Sequence, residues 1–341
     1  MSWNLIGHDW AVDTLIKHIQ KGNVRHAYLF CGPDGVGRRS LALRFAQALT
    51  CPLSKETGEP CQSCPSCQRI SRMQHPDLFI VSVPENRKEI LIEQVRALQH
   101  DLSLAPYEAP YRIGMLLDFH NASMAAQNAM LKTLEEPTSR AILLVTASRP
   151  EDLLPTIASR CEVMLLRPAR MDEVARTLEK ETGTTKADAE KIARLSGGCY
   201  GQAMAMQRNP ETVERIGNLI DDLLRVMAAP LHDRFAYAEE LAVRKSATRD
   251  KLQATIRVWI SFWRDVLMIN GGAKEPIIHT DYHVALDRLA AEIPSAEIHA
   301  QLSRLEDALD QLDKNANSRM LAEVLVMDLP HLKLSSNPHL K

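Results

Sequence analysis

The sequence predicts an α/β fold, a doubly wound and mostly parallel sheet, followed by two helical parts. Three observations carry that prediction. Through the first half of the chain, short apolar runs alternate with segments of helical period, the pattern of parallel strands joined by crossovers. The first of these runs leads straight into a glycine-rich loop and then a helix, a recurring unit of such sheets. Beyond Pro168 the strand-like runs stop, and apolar residues recur only at helical spacing.

Taken in order, Ala27-Tyr28-Leu29-Phe30-Cys31 reads as a buried strand ending at Gly32. Leu41, Leu43, Phe45, Ala46 and Leu49 then fit a helix starting at or near Ser40. A polar insertion rich in Pro and Cys runs from about Pro52 to Gln68. Asp77 to Val83 reads as a second strand, Ile90 to Leu104 as a helix, and Arg112 to Asp118 as a third strand closed by an acid. Ala122 to Glu136 is a helix stopped by Pro137, which cannot extend the hydrogen-bond ladder. Ala141 to Thr146 is a fourth strand, and Ile157 to Cys161 leads into a fifth, Val163 to Leu166. A sheet of this kind carries its site at the carboxyl ends of its strands.

Residues 168–208 read as a small helical unit. It holds a helix from Asp172 to Glu181, a second opened by Thr185-Lys186-Ala187-Asp188 like a capping box, and a stop at Gly197-Gly198. Pro210 opens an all-helical part with apolar stripes such as Ile216, Leu219, Ile220, Leu223 and Leu224, reaching about Leu334. The expected division is therefore 1–167, 168–208 and 209–334, with 335–341 as a loose tail.

Composition narrows the function classes. With 341 residues and roughly 150 residues per domain, two or three domains are expected. Hydrophobic content of 45% and charged content of 25% are ordinary globular values, which argues against a disordered chain. A net charge of −2 argues against a broadly basic nucleic-acid binder and leaves room only for a local basic face. Met1 to Ala11 shows no signal-peptide pattern, and no apolar run approaches the ~18 residues of a membrane span, so a soluble cytoplasmic protein is expected.

The loop Gly32-Pro33-Asp34-Gly35-Val36-Gly37-Arg38-Arg39-Ser40 keeps the glycine spacing of a phosphate-binding loop, G-x-x-x-x-G-K-[ST]. In that template the Lys reaches the β/γ-phosphates and the hydroxyl ligates Mg²⁺. Here Arg38 stands at the Lys position and Arg39 at the Ser/Thr position. A guanidinium is a planar fork rather than a slim point charge, and it cannot ligate a cation. Gly32, Gly35, Gly37, Arg38 and Arg39 thus outline a degenerate nucleotide site, with Asp118 as its acid at a strand end. Phe119 follows that acid, so the Glu that would polarise an attacking water in many ATPases is missing.

Cys51, Cys61, Cys64 and Cys67 supply four thiolates in one polar insertion. Soft tetrahedral S₄ coordination favours structural zinc, with an iron–sulfur cluster as the rival. Cys31, Cys161 and Cys199 read as semi-buried thiols. Ser159-Arg160-Cys161 precedes the fifth strand; on its own, Arg160 reads as a solvated charge. Trp259, Phe262, Trp263 and Val266 form a helical stripe for a core or a subunit-packing face. His8, His26 and His75 show no metal-ligand spacing.

Three segments carry a resemblance: His26 to Pro33, Asn128-Ala129-Met130-Leu131-Lys132-Thr133-Leu134-Glu135-Glu136-Pro137, and Ser159-Arg160-Cys161. Together with the four-cysteine insertion they resemble the bacterial clamp-loader branch of the AAA+ ATPases, over about residues 1–208. The defective loop is more similar to its non-hydrolysing type of subunit than to the ATP-hydrolysing gamma/tau type. The resemblance implies an AAA+ domain, a small helical lid at 168–208 and a C-terminal helical collar. It implies that Arg160, with Ser159 and Cys161 beside it, acts as an arginine finger on ATP held by a neighbouring motor subunit. Gly201, in Gly198-Cys199-Tyr200-Gly201, falls where active members carry a sensor arginine. The implied partners are the gamma/tau and delta subunits, a transiently bound sliding clamp and primed DNA within a DNA polymerase holoenzyme, with no membrane. The implied cofactor is structural zinc, with ATP neither bound nor hydrolysed by this chain. Two rival readings stand beside this one. In the first, Arg38 replaces the loop Lys and the chain is an active ATPase. In the second, the cysteine insertion is a zinc-dependent nucleic-acid grip, although Lys55 and Arg69 are the only basic residues near it and it has no aromatic to stack on bases.

Overall fold

The computed structural model describes residues 3–138, 140–242, 248–273, 277–314 and 316–332; the expected tail at 335–341 and the expected end of the helical part at Leu334 lie outside them. The described residues fall into two compact units. One is drawn from Met1–Ala189 and Gly198–Met204, the other from Glu190–Gly197 and Ala205–Lys341.

The first unit is built on a five-stranded sheet among the described residues. Its strands are β1 (Ala27–Cys31), β2 (Leu78–Val81), β3 (Arg112–Leu116), β4 (Ala141–Ala147) and β5 (Glu162–Leu165), in the order β2-β3-β4-β1-β5. All pairings are parallel, and Tyr28 of β1 sits between Leu144 of β4 and Glu162 of β5. β1 and β4 are buried at every residue, because helices cover both faces. Alternate residues feed two cores, as the two-residue period of a strand requires. Tyr28 and Phe30 pack with Leu41 and Phe45, whereas Leu29 and Cys31 pack with Met130 and Ile157.

The helices of this unit are α1 (Asp9–Gln20), α2 (Arg38–Thr50), the short α3 (Ser54–Thr57) and α4 (Pro65–Ser71), α5 (Ile92–Ser103), α6 (Met124–Glu135) and the one-turn α7 (Pro155–Ala158). α2 begins at Arg38, two residues before the expected start, because Gly37 at φ +117 makes the turn into it. α6 stops one residue before its expected end, ahead of Pro137. The third strand ends at Leu116 rather than Asp118, since Asp118 turns to φ +49 and opens a single turn at Phe119–Asn121. Next come α8 (Met171–Thr182), α9 (Lys186–Leu195) and α10 (Tyr200–Arg208). The hydroxyl of Thr185 accepts from the Asp188 N–H at 3.2 Å, as a capping residue does.

The second unit is helical, with α11 (Glu211–Ala228), α12 (Leu231–Ala242), α13 (Thr248–Asn270), α14 (His283–Glu292), α15 (Ser295–Asp313) and α16 (Ser318–Met327). The stripe Trp259, Phe262, Trp263 and Val266 lies on α13 and is wholly buried in this core. Trp259 donates its indole N–H to the Leu219 carbonyl at 3.2 Å. Arg234 is the polar centre of the unit, 4% exposed. Its guanidinium donates to the carbonyls of Met227 at 2.9 Å and Leu329 at 2.7 Å, and to those of Ala229, Val326 and Pro330 at 3.2 Å. It thereby ties the ends of α11 and α16, carbonyls that no helix bond satisfies, to α12. Burial disfavours its charge, and these dipoles offset the cost.

Replacing Arg234 by Ala would take this donor from the Ala229, Val326, Leu329 and Pro330 carbonyls and leave Met227 with the Leu332 N–H. Urea titration of Arg234→Ala is expected to show a loss of about 3 kcal/mol. A loss below about 1 kcal/mol, the size of an ordinary surface change, would contradict this role.

Candidate functional site

The glycine loop follows β1, Asp118 follows β3, and Ser148 follows β4, which lies between those two strands. Strand order therefore brings three separate segments together at the carboxyl ends of neighbouring parallel strands. The glycine loop, Asp118 and, from β4, Thr146 line an open cleft of about 950 Å³ within the first unit, bordered also by Asn4, His8 and Tyr200.

Arg38 fills the centre of this constellation. Its Nη2 donates to Asp34 Oδ1 at 2.6 Å and to Asp118 Oδ1 at 2.9 Å. Its Nη1 donates to the Gly32 carbonyl at 2.9 Å and to Ser148 Oγ at 3.3 Å. The Arg38 side chain is 7% exposed, while Asp34 and Asp118 are 76% and 50% exposed. The cation is thus buried and its two counter-charges are wet, so the pairing offsets the desolvation of one group rather than three. The Asp118 N–H donates to Thr146 Oγ1 at 2.7 Å, which fixes the acid from behind. Beside it, His120 meets Ser148 Oγ at 3.2 Å, and burial lowers its pKa so that the ring stays neutral.

The loop is also closed from the other side. Gly201 donates its N–H to the Gly35 carbonyl at 2.8 Å, and Gln202 donates from Nε2 to the Asp34 carbonyl at 2.8 Å. Gly35 holds φ +74, and a Cβ on it would lie 2.6 Å from the Gln202 nitrogen. A Cβ on Gly201 would lie 2.8 Å from the Gly35 carbonyl oxygen. Backbone thus rests on backbone here, and neither position has room for a side chain. His8 donates from Nε2 to the Val36 carbonyl at 2.7 Å and pins the same loop from α1's start.

The other sequence-predicted residues separate. Arg39 is exposed and donates to the Met73 sulfur at 2.9 Å. Phe119 is fully buried in the core with Leu116 and Ala126. Arg160 lies elsewhere on the first unit, bonded through Nη2 to Glu135 Oε1 at 2.9 Å and through Nη1 to the Thr156 carbonyl at 3.0 Å. Ser159 bonds the same Thr156 carbonyl at 3.2 Å, and burial pushes the Cys161 thiol up to about 12. Asp34, Ser148, Gln202 and Glu135 were not singled out by the sequence. Asp34 stands four residues before Arg38, a spacing that could have flagged the pair. The others meet their partners only through the fold.

Cys51, Cys61, Cys64 and Cys67 converge, with all four sulfurs within 4.8 Å of one another. A tetrahedral shell with bonds of about 2.3 Å needs sulfurs about 3.8 Å apart, so a small shift closes it. The backbone N–H groups of Cys61, Cys64 and Cys67 point at the sulfurs of Cys51, Cys61 and Cys64 at 3.3–3.5 Å. Such bonds favour thiolate: those from Cys64 and Ser63 bring the Cys61 thiol down to about 6. Burial raises Cys67, which a bound cation would reverse. The donor set fits a metal ion held by four thiolates.

The chain is similar to known proteins along most of its length. A family model described as DNA polymerase III, delta subunit, matches residues 7–170, and one described as DNA polymerase III, delta subunit, C terminal, matches residues 226–330. The DNA polymerase III subunit delta' of Bacillus subtilis is 27% identical over 316 residues, 92% of this chain and 94% of that one. The subunit delta' of Pseudomonas aeruginosa is 34% identical over 218 residues, 60% of this chain and 64% of that one. The B. subtilis subunit tau is 23% identical over 347 residues, 96% of this chain and 61% of that one.

Proposed function

The chain belongs to the delta-prime family of DNA polymerase III subunits, and we propose that it is a clamp-loader subunit that does not hydrolyse ATP. In this reading it works with gamma/tau and delta subunits to open a ring-shaped sliding clamp and place it on primed DNA. Residues 1–167 form its AAA+ domain, 168–208 a helical lid and 209–334 a collar that joins the other subunits.

The observation that carries the reading is the double pairing of Arg38 with Asp34 and Asp118. An acid that would hold Mg²⁺ through water already holds an internal cation. The Phe119 ring, buried in the core, offers no base to an attacking water. Gly201, pressed against Gly35, leaves no space for the side chain that a sensor arginine would need. The structure favours no active-ATPase reading of Arg38, since the guanidinium is spent on protein acceptors.

What remains catalytic is Arg160, given to ATP on an adjacent subunit. Its side chain is 36% exposed at the surface of the first unit, with donors left beyond the two it uses. An arginine added in trans stabilises the charge of the transferring phosphoryl group. The Arg160→Ala variant is expected to fold normally and to lower the DNA-stimulated ATPase of the reconstituted complex about 10³-fold. An unchanged rate would remove this role.

The four cysteines hold zinc as a closed structural site, which braces the insertion and binds no substrate. Metal analysis of the purified chain should give a single equivalent of zinc, and Cys67→Ser should lose it together with thermal stability. Iron with visible charge-transfer absorption, or a melting temperature indifferent to chelation, would count against zinc.

A further inference from the structure

Arg160 does not float at the surface. The helix α6 holds the segment that carries it at both ends. At the start, Gln127 accepts the Leu154 N–H at 3.0 Å on Oε1 and is itself fixed through Nε2 to the Ala122 carbonyl at 3.3 Å. At the end, Glu135 accepts from Arg160 Nη2 at 2.9 Å. Between these two points lies the single turn of α7, whose Thr156 carbonyl takes Arg160 Nη1 at 3.0 Å. Two acceptors in different elements thus grip the two terminal nitrogens of one planar fork. A guanidinium gripped this way has its plane fixed, while its outward donors stay open to a ligand.

We propose that Glu135 is a positioning residue for Arg160, setting the guanidinium plane that meets a partner-bound phosphate. The inference rests on the trans-acting role of Arg160. Both side chains are partly exposed, 36% for Arg160 and 51% for Glu135, so the pair adds little to stability. Its effect lies in orientation. A free arginine samples many rotamers, and each phosphate contact must then repay that lost freedom. A fork already held loses little on binding, and angular precision is what a transferring phosphoryl group demands. The bond needs an acceptor at Oε1, which an amide oxygen also supplies.

The test uses the complex assembled from this chain with its gamma/tau-type and delta-type partners, with ATP turnover measured on primed DNA and clamp. Glu135→Ala should lower kcat by roughly 10-fold to 10²-fold, with the KM for ATP and the melting temperature of the chain unchanged. Glu135→Gln should recover most of the loss. The Glu135→Ala, Arg160→Ala double variant should be no slower than Arg160→Ala alone, because Glu135 acts only through Arg160. Wild-type or faster turnover in Glu135→Ala, a Gln variant as slow as the Ala variant, or losses that multiply in the double variant would each overturn the proposal. Failure of the underlying reading looks different, since Arg160→Ala itself would then turn over at the wild-type rate.

Discussion

The Arg38 guanidinium, shared between Asp34 and Asp118, is the constraint around which the first unit is arranged. It joins the glycine loop after β1 to the acid after β3 by reaching past Ser148 at the end of β4. In a working phosphate loop these points are joined through phosphate and metal, so the architecture waits on a ligand. Here one side chain makes the connection permanently. The consequences propagate outward. With the loop's position fixed, Gly201 and Gln202 can rest their own polar groups on Gly35 and Asp34. That contact needs glycine on both sides, and it is incompatible with a long cation at position 201.

The same unit keeps a second arginine in the opposite condition. Arg38 is buried and its pairing is saturated by protein, whereas Arg160 is half-exposed and held by only two acceptors. Burial with full pairing makes a structural cation, and exposure with partial pairing leaves a usable one. Arg234 in the second unit follows the first pattern with neutral acceptors, backbone carbonyls and the His331 ring nitrogen, at helix ends that no helix bond satisfies. These three arginines carry one charge each, and their burial and acceptors separate the two that are enclosed from the one that keeps donors at the surface.

Much of this was legible in the sequence. Runs such as Ala27–Cys31 and Ala141–Thr146 announce themselves, because strands covered on both faces are nearly continuous in apolar residues. The four cysteines could be grouped by spacing alone. Strand ends were less legible: Asp118 was taken into its strand, and only its left-handed backbone shows why β3 stops at Leu116. The loss of the loop Lys was visible, but its replacement's task was not. Whether Arg38 points at solvent, a phosphate or Asp118 depends on a distance across the sheet that no local pattern encodes. Glu135 was likewise quoted only as part of a motif, since its partner Arg160 arrives from beyond another strand. Phe119 looked like a missing base and is in addition a core residue, which explains why an apolar ring is stable there.

The central claim is that an internal cation has taken the place of the nucleotide's metal and phosphate. Calorimetric titration of the isolated chain with ATP, in the presence and absence of Mg²⁺, addresses it directly. The account predicts no saturable heat up to millimolar nucleotide, with the same outcome whether or not Mg²⁺ is present. Saturable micromolar binding that requires Mg²⁺ would contradict it, because such binding needs the Asp118 carboxylate that Arg38 holds.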